Sequence, residues 1–385
     1  MLLYIHVPFC VRKCGYCAFH SGLYAADDAS RYVKLVIAEM AVRAAQYGRR
    51  TFETVYFGGG TPSLLELSQI GAILDGVSRY FGIASGAEIT LEANPESAVR
   101  QGFLAGLQGL GVNRLSLGAQ SFKDEALFLL GRPHRSRDTM KAVNMARSAG
   151  IANVSLDLIW GVPGQSPKDW LDDLKAASGL RPEHLSCYGL TLEEGTPLAR
   201  QFEDGEFVLP DEDDTASMYM LGSEYLESEG YLQYEVSNYA RMGFQSRHNS
   251  GYWSQEEYLG LGPAAVSTVD DIRWTNPKDL RSYEEACGKQ TELETLDSRT
   301  RWQEMVMLSL RTSKGLHLEE FLRVTGTDFF RTNRKLVQML RTHRLVRLQA
   351  GYLRLTRNGM LVSNSIIERL IDGAESMHSD TTGNL

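Results

Sequence analysis

The sequence lacks the features that would place a protein inside a membrane or outside the cell. No uninterrupted apolar run approaches the ~18 residues that a membrane-spanning helix needs. The first residues, MLLYIHVPF, contain no basic segment followed by a long apolar one, so we expect no secretory signal. The five cysteines include three within one octet, which is not the pattern of a disulfide framework. These absences favour a cytoplasmic protein whose contact with a membrane is peripheral.

An excess of positive charge is also missing. The 40 lysines and arginines are outnumbered by 48 acidic residues, which gives a net charge of −8. This balance argues against a protein that coats nucleic acid through bulk charge. At 385 residues, 43% of them hydrophobic, the chain is long enough for roughly two or three domains, or for one large α/β barrel with additions.

The first half of the chain alternates between short apolar runs and amphipathic stretches. The apolar runs, rich in β-branched residues, are 3–7, 54–57, 88–91, 114–117, 154–159 and 184–188. The amphipathic stretches are 29–47, 68–81, 102–110, 136–148, 167–178 and 211–229. This alternation is typical of βα units around a parallel sheet. Because six units are too few to close an eight-unit barrel, we predict an α/β fold with an open, partial (β/α)6 barrel over residues 1–235.

Polar or glycine-rich residues follow each predicted strand. In chain order they are the cysteine segment 10–17, the glycine segment 58–62, residues 92–95, residues 118–121, Asp157 with the segment 161–165, and residues 188–191. Barrel enzymes carry their active residues at the carboxyl ends of the strands. The sequence therefore predicts one site built from six strand ends.

The pattern changes after residue 235. Residues 236–299, rich in glycine, asparagine and aromatic residues, are expected to form a connecting segment. Residues 300–372 contain three helical stretches (301–310, 316–324 and 330–341), then two short strands and a last helix, which predicts a winged-helix-like α+β domain. Residues 373–385 are polar and are expected to be disordered. The C-terminal domain carries a basic run, which in such modules often binds DNA but is usually a solvated face.

Cys10, Cys14 and Cys17 are the most informative residues of the chain. Thiolates are soft ligands that favour iron–sulfur clusters, zinc or Cu(I). Three cysteines would ligate three irons of a [4Fe-4S] cluster and leave the fourth iron open to a ligand that is not protein. Alternatively, His20 would complete a Cys3His zinc site. The polar strand ends favour the cluster over zinc.

The cysteine spacing resembles that of the radical S-adenosylmethionine (SAM) superfamily. The pattern is Cys10-x3-Cys14-x2-Cys17, and GGGTP after the second strand strengthens the resemblance. In that superfamily SAM chelates the open iron, and an electron from the cluster cleaves its sulfonium to give an adenosyl radical. The context YIHVPF at residues 4–9 resembles the subgroup of the oxygen-independent coproporphyrinogen oxidase HemN and the haem chaperone HemW, and the sequence is nearer to HemW.

The resemblance implies a set of cofactor-binding residues. Those matched to SAM are Tyr4, Tyr16, Gly59, Gly60, Thr61, Glu92 and Gly189. Those matched to a second SAM in HemN are Gln120, Arg132 and Asp157. Glycine lets backbone approach a ligand without a Cβ clash, and the planar fork of arginine can pair with a carboxylate. Each residue also has a purely structural alternative, such as a tight turn, core packing or a pair within the scaffold.

The run at residues 248–253 resembles the HNxxYW haem-binding motif of HemW, through His248, Asn249, Tyr252 and Trp253. A neutral imidazole can ligate haem iron, and Tyr and Trp offer flat surfaces to a porphyrin. A lone histidine is more often a core or surface residue, but the whole motif leads us to expect His248 to be the haem ligand. Two departures from HemN disfavour coproporphyrinogen decarboxylation: Phe19 replaces a further cysteine, and no long arm precedes the first strand.

The resemblance implies a haem chaperone with a [4Fe-4S] cluster, SAM and haem, which delivers haem to respiratory haem proteins. It also implies a homodimer, peripheral contact with the inner membrane and no nucleic-acid partner. Two other functions stay open, and with them the question of whether the chain is an enzyme. One is a radical SAM enzyme acting on a porphyrin, as coproporphyrinogen III oxidase does; the other is a zinc protein that binds nucleic acid. Cys187 and Cys287 are expected to be buried structural thiols.

Overall fold

The structure is a computed structural model that describes residues 1–286 and 288–382. Its strands are β1 (Leu2–Val7), β2 (Phe9–Cys10), β3 (Gly22–Leu23), β4 (Thr51–Gly59), β5 (Gly82–Ala93), β6 (Arg114–Gln120), β7 (Asn153–Trp160), β8 (His184–Gly189), β9 (Leu232–Gln233), β10 (Asn238–Ala240), β11 (Tyr258–Leu261), β12 (Val266–Val269), β13 (Ile272–Thr275), β14 (Thr291–Thr295), β15 (Leu316–His317), β16 (Val346–Gln349) and β17 (Tyr352–Leu355). Its α-helices are α1 (Ala26–Tyr47), α2 (Leu67–Tyr80), α3 (Pro95–Ala98), α4 (Phe103–Gly109), α5 (Asp124–Leu129), α6 (Ser136–Ser148), α7 (Pro167–Gly179), α8 (Pro197–Glu203), α9 (Glu212–Ser228), α10 (Arg247–Trp253), α11 (Leu280–Ala286), α12 (Ser298–Leu310), α13 (Leu318–Thr325), α14 (Phe329–Thr332), α15 (Arg334–Thr342), α16 (Arg357–Leu361) and α17 (Ser363–Thr382). The predicted barrel strands are β1 and β4 to β8, and the predicted barrel helices are α1, α2, α4, α6, α7 and α9.

One large sheet forms the centre of the molecule. Its strand order among the described residues is β14-β13-β12-β11-β1-β4-β5-β6-β7-β8-β10-β9. The six predicted strands pair in parallel and in chain order, as βα units require. β1 pairs on its other side with β11, and β8 pairs with β10, so the barrel stays open. The prediction of an α/β partial barrel is confirmed.

Residues 236–299, expected to be a connecting segment, add strands to both ends of this sheet. β11 pairs in parallel with β1, and β12, β13 and β14 follow as antiparallel strands. Asp270 and Asp271 join β12 to β13 with φ values of 49° and 67°, as a two-residue type I′ turn requires. Val269 and Trp274, on either side of this turn, are buried in the main core. The segment is therefore held by apolar burial and ladder hydrogen bonds.

Strand alternation gives the barrel an apolar face and a polar lumen. On β6, the residues packed under the helices are Leu115, Leu117 and Ala119, and those facing the lumen are Arg114, Ser116, Gly118 and Gln120. Successive side chains of a strand point to opposite faces, so the same division repeats on the neighbouring strands. The lumen can therefore hold polar groups along the whole length of the strands.

The C-terminal part has a separate apolar core. β15, β17 and β16 form a three-stranded antiparallel sheet, and residues of α12, α13, α15 and α17 pack around it. The winged-helix-like α+β fold of the prediction is confirmed. The predicted helix over residues 330–341 is instead two helices, α14 and α15, which meet at Asn333.

The last helix extends further than the sequence predicted. α17 runs to Thr382 and so covers most of the stretch 373–385, which we expected to be disordered. Ile366, Ile367, Leu370 and Ala374 recur at helical spacing and are buried in the C-terminal core. Burial of this apolar stripe stabilises the helix beyond residue 372, where the predicted domain ends.

Two further expectations concern single features. In the part of the chain that the structure describes, no helix is both long enough and apolar enough to span a bilayer. Cys187 is a buried free thiol whose pKa is raised by burial, as expected of a structural cysteine. Cys287 lies outside the described residues.

Glu39 on α1 ties the barrel to the strands added by residues 236–299. Its carboxylate accepts hydrogen bonds from Arg43 Nη2 (3.0 Å), Asn276 Nδ2 (2.9 Å) and the backbone N–H of Gly262 (3.0 Å). Arg43 also lies 4.9 Å above the ring of Trp274. All of these groups are buried, so the network depends on every partner being present.

Replacing Glu39 by alanine leaves the Arg43 guanidinium buried without its carboxylate. We expect Glu39→Ala to lower the free energy of unfolding by about 3–5 kcal/mol, as measured by urea denaturation of the cluster-free protein. The matched control is Arg281→Ala, which removes an exposed ion pair with Glu285 and should lower it by less than about 1 kcal/mol. Equal losses in the two variants would contradict the role of the Glu39 network.

Candidate functional site

A cavity of about 520 Å³ lies at the carboxyl ends of the barrel strands and continues down the lumen. The sequence-predicted site residues that line it are Cys10, Cys14, Cys17, Tyr4, Tyr16, Gly59, Gly60, Thr61, Glu92, Gln120, Arg132, Asp157, Gly189, His248, Asn249 and Tyr252. Trp253 does not line it. The fold thus brings strand-end residues far apart in sequence to one place, while the role of each residue stays a prediction.

The three cysteines lie between β1 and α1, with Cys10 at the end of β2, and donors reach two of their sulfurs. Thr61 Oγ1 is 3.6 Å from Cys10 Sγ, and Arg132 Nη1 is 3.5 Å from Cys14 Sγ. Both contacts place a polar donor beside a sulfur of the cysteine segment. Burial raises the pKa of the third thiol, Cys17.

The glycine segment at the end of β4 packs directly against the start of this loop. Gly59 has a φ of 107°, and a Cβ on it would lie 2.6 Å from the ring of His6. A Cβ on Gly60 would lie 2.5 Å from the carbonyl oxygen of Phe9, while its N–H donates to the carbonyl of Val7 at 2.8 Å. Because no side chain fits here, the strand end and the cysteine loop meet backbone to backbone.

Glu92, the predicted ribose acceptor, is held inside the lumen by Tyr56. The Tyr56 hydroxyl donates to Glu92 Oε1 at 2.6 Å, and Tyr56 stacks on Tyr4 with ring centres 6.1 Å apart. Burial raises the pKa of Glu92 to about 7, and nearby Asp157 adds to the shift. A substantial fraction of this carboxyl is therefore protonated at neutral pH.

The residues matched to a second SAM lie close together around β6 and β7. Asp157 accepts hydrogen bonds from Ser186 (2.6 Å) and Ser116 (3.0 Å), and burial raises its pKa. Arg132 Nη2 donates to the side chain of Asn94 at 2.6 Å, and its Nε has no hydrogen-bond partner among the described residues. Gln120 has a φ of 61°, a strained backbone for a residue other than glycine.

Two residues of the lower lumen were not predicted. Arg114 is 2% exposed, and its Nε and Nη2 have no hydrogen-bond partner in the described structure. His184 beside it bonds Ser155 Oγ and Tyr234 Oη, both at 2.8 Å, and burial lowers its pKa so that the ring is neutral. Side chains alternate between the two faces of β6, so Arg114 faces the lumen as Gln120 does. This alternation would have identified Arg114 from the sequence.

The HNxxYW motif lies on α10, at the amino-terminal end of the lumen, which we call the floor. Glu88 accepts the backbone N–H of His248 at 3.1 Å. The imidazole is 2% exposed, with Nδ1 bonded to Thr54 Oγ1 (2.7 Å) and Nε2 to Tyr252 Oη (3.1 Å). Burial, with a smaller effect from Arg114, lowers the pKa of His248 to about 3, so the ring is neutral. To ligate a metal through Nε2, His248 would have to give up the Tyr252 hydroxyl.

The other two motif residues differ in position. Asn249 Nδ2 donates to Tyr234 Oη at 3.3 Å and helps to close the floor. Trp253 does not line the cavity, and its indole nitrogen is buried without a hydrogen-bond partner among the described residues. The motif therefore packs as part of the barrel in this structure.

His20, the fourth ligand of the zinc alternative, does not line the cavity that the cysteines line. It lines a second cavity, whereas all three cysteines line the first. Among the described residues, no three His, Cys, Asp or Glu side chains are placed to hold a single metal ion. Zinc requires ligands about 2.0–2.3 Å from one point, whereas a [4Fe-4S] cluster takes one thiolate on each of three irons. The donor set and the backbone cradle at Gly60 fit the cluster better than zinc.

Known proteins resemble this chain over most of its length. The model of the radical SAM superfamily matches residues 4–177, and that of the HemN C-terminal domain matches residues 296–362. The heme chaperone HemW of Escherichia coli is 35% identical over 377 residues, covering 95% of this chain and 97% of that protein. HemW of Synechocystis is 40% identical over 286 residues, covering 73% of this chain and 69% of that protein. The mouse mitochondrial radical SAM domain-containing protein 1 is 34% identical, covering 96% and 87%.

Among solved structures, coproporphyrinogen III oxidase (HemN) of Escherichia coli superimposes with a TM-score of 0.83 at 24% identity, covering 96% of this chain and 89% of that one. At this identity the likeness shows the fold alone. The barrel and its cysteine triad define a radical SAM protein. Within that superfamily, the near full-length relatives show that the chain belongs to the HemW family. Membership of the superfamily implies a [4Fe-4S] cluster and SAM, which together supply one-electron cleavage of the sulfonium when both are bound.

The contact between Gly60 and Phe9 provides a test of the cysteine loop. A methyl group at Gly60 would push the Phe9 backbone, and with it Cys10, away from the strand end. We expect Gly60→Ala to reduce the iron and acid-labile sulfide of anaerobically reconstituted protein roughly twofold or more. Gly109→Ala is the matched control, because nothing lies within 4 Å of its added Cβ. Full cluster content in Gly60→Ala would show that the loop tolerates the displacement.

The raised pKa of Glu92 predicts a pH dependence of stability. The folded protein holds this proton with a pKa of about 7, against an ordinary value of 4.5. The contribution of protonated Glu92 to the free energy of unfolding is therefore present at low pH, and it is lost as the pH rises through about 7. Between pH 5 and pH 8 we expect cluster-free wild type to lose about 1–3 kcal/mol more unfolding free energy than Glu92→Gln, since water in the cavity limits the effect. The difference between the two proteins is the measurement, because Glu235 titrates in the same range in both; parallel pH profiles would contradict the shift.

Proposed function

We propose that this protein is a haem chaperone, which binds haem and a SAM-chelating [4Fe-4S] cluster and delivers haem to respiratory haem proteins. The observation that carries the proposal is its similarity, over nearly its full length, to proteins named heme chaperone HemW in several bacteria. The HNxxYW motif is the feature of this chain that connects it to haem.

The cysteine loop supports the SAM-binding part of the proposal. Three cysteine side chains, two donors to sulfur and a backbone cradle line one wall of a cavity that continues beneath them. Gly59, Gly60 and Thr61 would approach the methionine part of SAM, and Glu92 and Tyr16 would contact the rest. Arg132, Gln120 and Asp157 lie near enough in the same cavity to contact a second molecule.

The competing function is a radical enzyme that decarboxylates coproporphyrinogen. Its support is the fold shared with HemN, and a shared fold hosts many functions. At the position where HemN has a further cysteine, this chain has Phe19, which is 65% exposed and lines the cavity mouth. An apolar ring there cannot act as a proton donor or a ligand, so this position favours a binding role over an enzymatic one.

The cellular setting is part of the proposal. We infer a cytoplasmic homodimer that meets membrane-embedded haem proteins at the inner membrane. The chain would reach them peripherally, since no described helix can span the bilayer.

The test uses full-length protein reconstituted anaerobically with iron and sulfide. We expect about three to four irons per chain from a cluster on three cysteines, saturable haem binding in an absorption titration, and haem transfer to an apocytochrome. With dithionite, SAM and coproporphyrinogen we expect no carbon dioxide and no vinyl product. Decarboxylation at an enzymatic rate would establish the competing function, and failure to bind haem would overturn the chaperone.

A further inference from the structure

An arginine at the floor of the lumen has two unbonded nitrogens in the described structure. Arg114 is the first residue of β6, lines the first cavity and is 2% exposed. Its Nε and Nη2 are buried, and neither has a hydrogen-bond partner among the described residues. Buried charged groups are ordinarily paired and hydrogen-bonded, because desolvation strongly disfavours them. Such a guanidinium on a cavity wall is explained if the cavity holds an acceptor for it.

These two nitrogens form one edge of the guanidinium plane. Nε–H and one N–H of Nη2 point side by side in a fixed geometry, which matches the two oxygens of a carboxylate. An ammonium or an imidazole has no such fork. The donors of Arg114 therefore select the shape of an acceptor as well as its charge.

Two acidic side chains of the lumen lie within electrostatic reach of Arg114, but hydroxyl groups hold both of them. Asp157 accepts a hydrogen bond from Ser186 at 2.6 Å, and Glu92 accepts one from Tyr56 at 2.6 Å. Burial raises the pKa of both carboxyls, and the opposing effect of Arg114 is smaller. Neither acid therefore serves Arg114 as a dedicated counter-ion.

The neighbouring polar side chains of the floor bond one another. His184 bonds Ser155 Oγ and Tyr234 Oη, both at 2.8 Å. Asn249 Nδ2 in turn donates to Tyr234 Oη at 3.3 Å. Because these groups are held in place without Arg114, the wall around the guanidinium is preorganised and its donors are left for a ligand.

Arg114 lies well below the place where a cluster would hold SAM. Arg132 contacts Cys14 Sγ at 3.5 Å and the carbonyl oxygen of Gly118 at 3.0 Å, so Gly118 lies beside the cysteine loop. Arg114 is four residues earlier on the same strand, which is about 13 Å at ~3.3 Å per residue. A SAM molecule chelated to the cluster through its amino acid part would have its carboxylate at the mouth. The acceptor for Arg114 must therefore belong to another molecule.

We propose that the floor of the lumen binds a carboxylate, held by the Nε–Nη2 edge of Arg114. Under the proposed function this carboxylate is a propionate of haem, and on that point the inference rests on the proposed function. A SAM molecule bound away from the cluster is the other source of the same chemistry. Binding adds two charge-assisted hydrogen bonds, and no covalent bond forms or breaks. Arg114 would then determine specificity, because a ligand without a carboxylate leaves its donors unpaired.

The test compares haem with its dimethyl ester, in which both propionates are masked, as ligands of full-length, anaerobically reconstituted protein. We expect wild type to bind haem roughly 10- to 100-fold more tightly than the ester, and Arg114→Gln to bind the two almost equally. Arg114→Lys keeps a charge but loses the fork, and its preference should fall between these values. Arg147→Gln is the matched control, because Arg147 pairs with Glu183 and does not line the cavity; it should keep the wild-type preference.

A stability measurement separates ligand binding from a role in the scaffold. Because Nε and Nη2 have no partner among the described residues, we expect Arg114→Gln to unfold at the same urea concentration as wild type. A clear fall in that midpoint with an unchanged preference for haem would show that Arg114 serves the scaffold, and would overturn the inference. The preference is a ratio within each protein, so a partial loss of folded protein cancels. If Arg114→Gln does not fold, wild type and Arg114→Lys decide the question.

A titration of the same proteins with SAM identifies the source of the carboxylate. If it belongs to SAM, Arg114→Gln binds one SAM fewer per chain than wild type, and its preference for haem over the ester matches that of wild type. If the preference is absent from wild type or persists in Arg114→Gln, and SAM stoichiometry is also unchanged, the carboxylate site is wrong and the chaperone proposal stands. If wild type binds neither haem nor its ester, the proposed function fails, and the SAM titration alone decides the carboxylate site.

Discussion

The site depends on one backbone contact, between the end of β4 and the start of the cysteine loop. The N–H of Gly60 donates to Val7 and that of Thr61 to Phe9, at 2.8 and 2.7 Å, with no room for a side chain at Gly60. Because these are main-chain hydrogen bonds between adjacent strand ends, they position Cys10 relative to the sheet without relying on flexible side chains. The start of the cysteine loop and the glycine cradle are therefore joined through the main chain, next to the parallel pairing of β1 with β4.

The lumen below this unit is polar, yet most of its titratable groups are shifted toward their neutral forms. Burial is the main cause for all four: it raises the pKa of Glu92 and Asp157 and lowers that of His184 and His248. Arg114 and Arg132 supply the guanidinium groups of the same cavity. A lumen of this kind offers many hydrogen bonds and little fixed charge. Such a surface can contact the hydroxyls and ring nitrogens of a nucleoside without the free-energy cost of desolvating ion pairs.

The sequence predicted the barrel well because the alternation of strands and helices is local, and period-2 and period-3.6 patterns are both visible in the first half. It predicted the residues of the first cavity because parallel strand ends converge by topology. The strands of residues 236–299 were not predicted, because the turn at Asp270-Asp271 lacks the glycine that usually marks a hairpin. The burial of His248 was not predicted for a different reason. A motif identifies residue types but not their contacts, and Thr54, whose hydroxyl bonds one nitrogen of His248, is 194 residues away in the sequence. Such contacts follow only from the folded sheet.

The two cavities share Tyr4, Ala18, Phe19 and Tyr252, so their occupants would touch the same side chains from opposite sides. Linkage requires that if one ligand moves such a side chain and so changes the affinity of the other, the effect is equal in both directions. Phe19 is the residue through which this coupling would act most directly, since it is exposed and has room to change rotamer. A thiol at this position would present a small polar group to the cluster side, whereas a phenyl ring presents a flat apolar surface to both sides. Phe19 therefore forms part of the boundary between the two cavities.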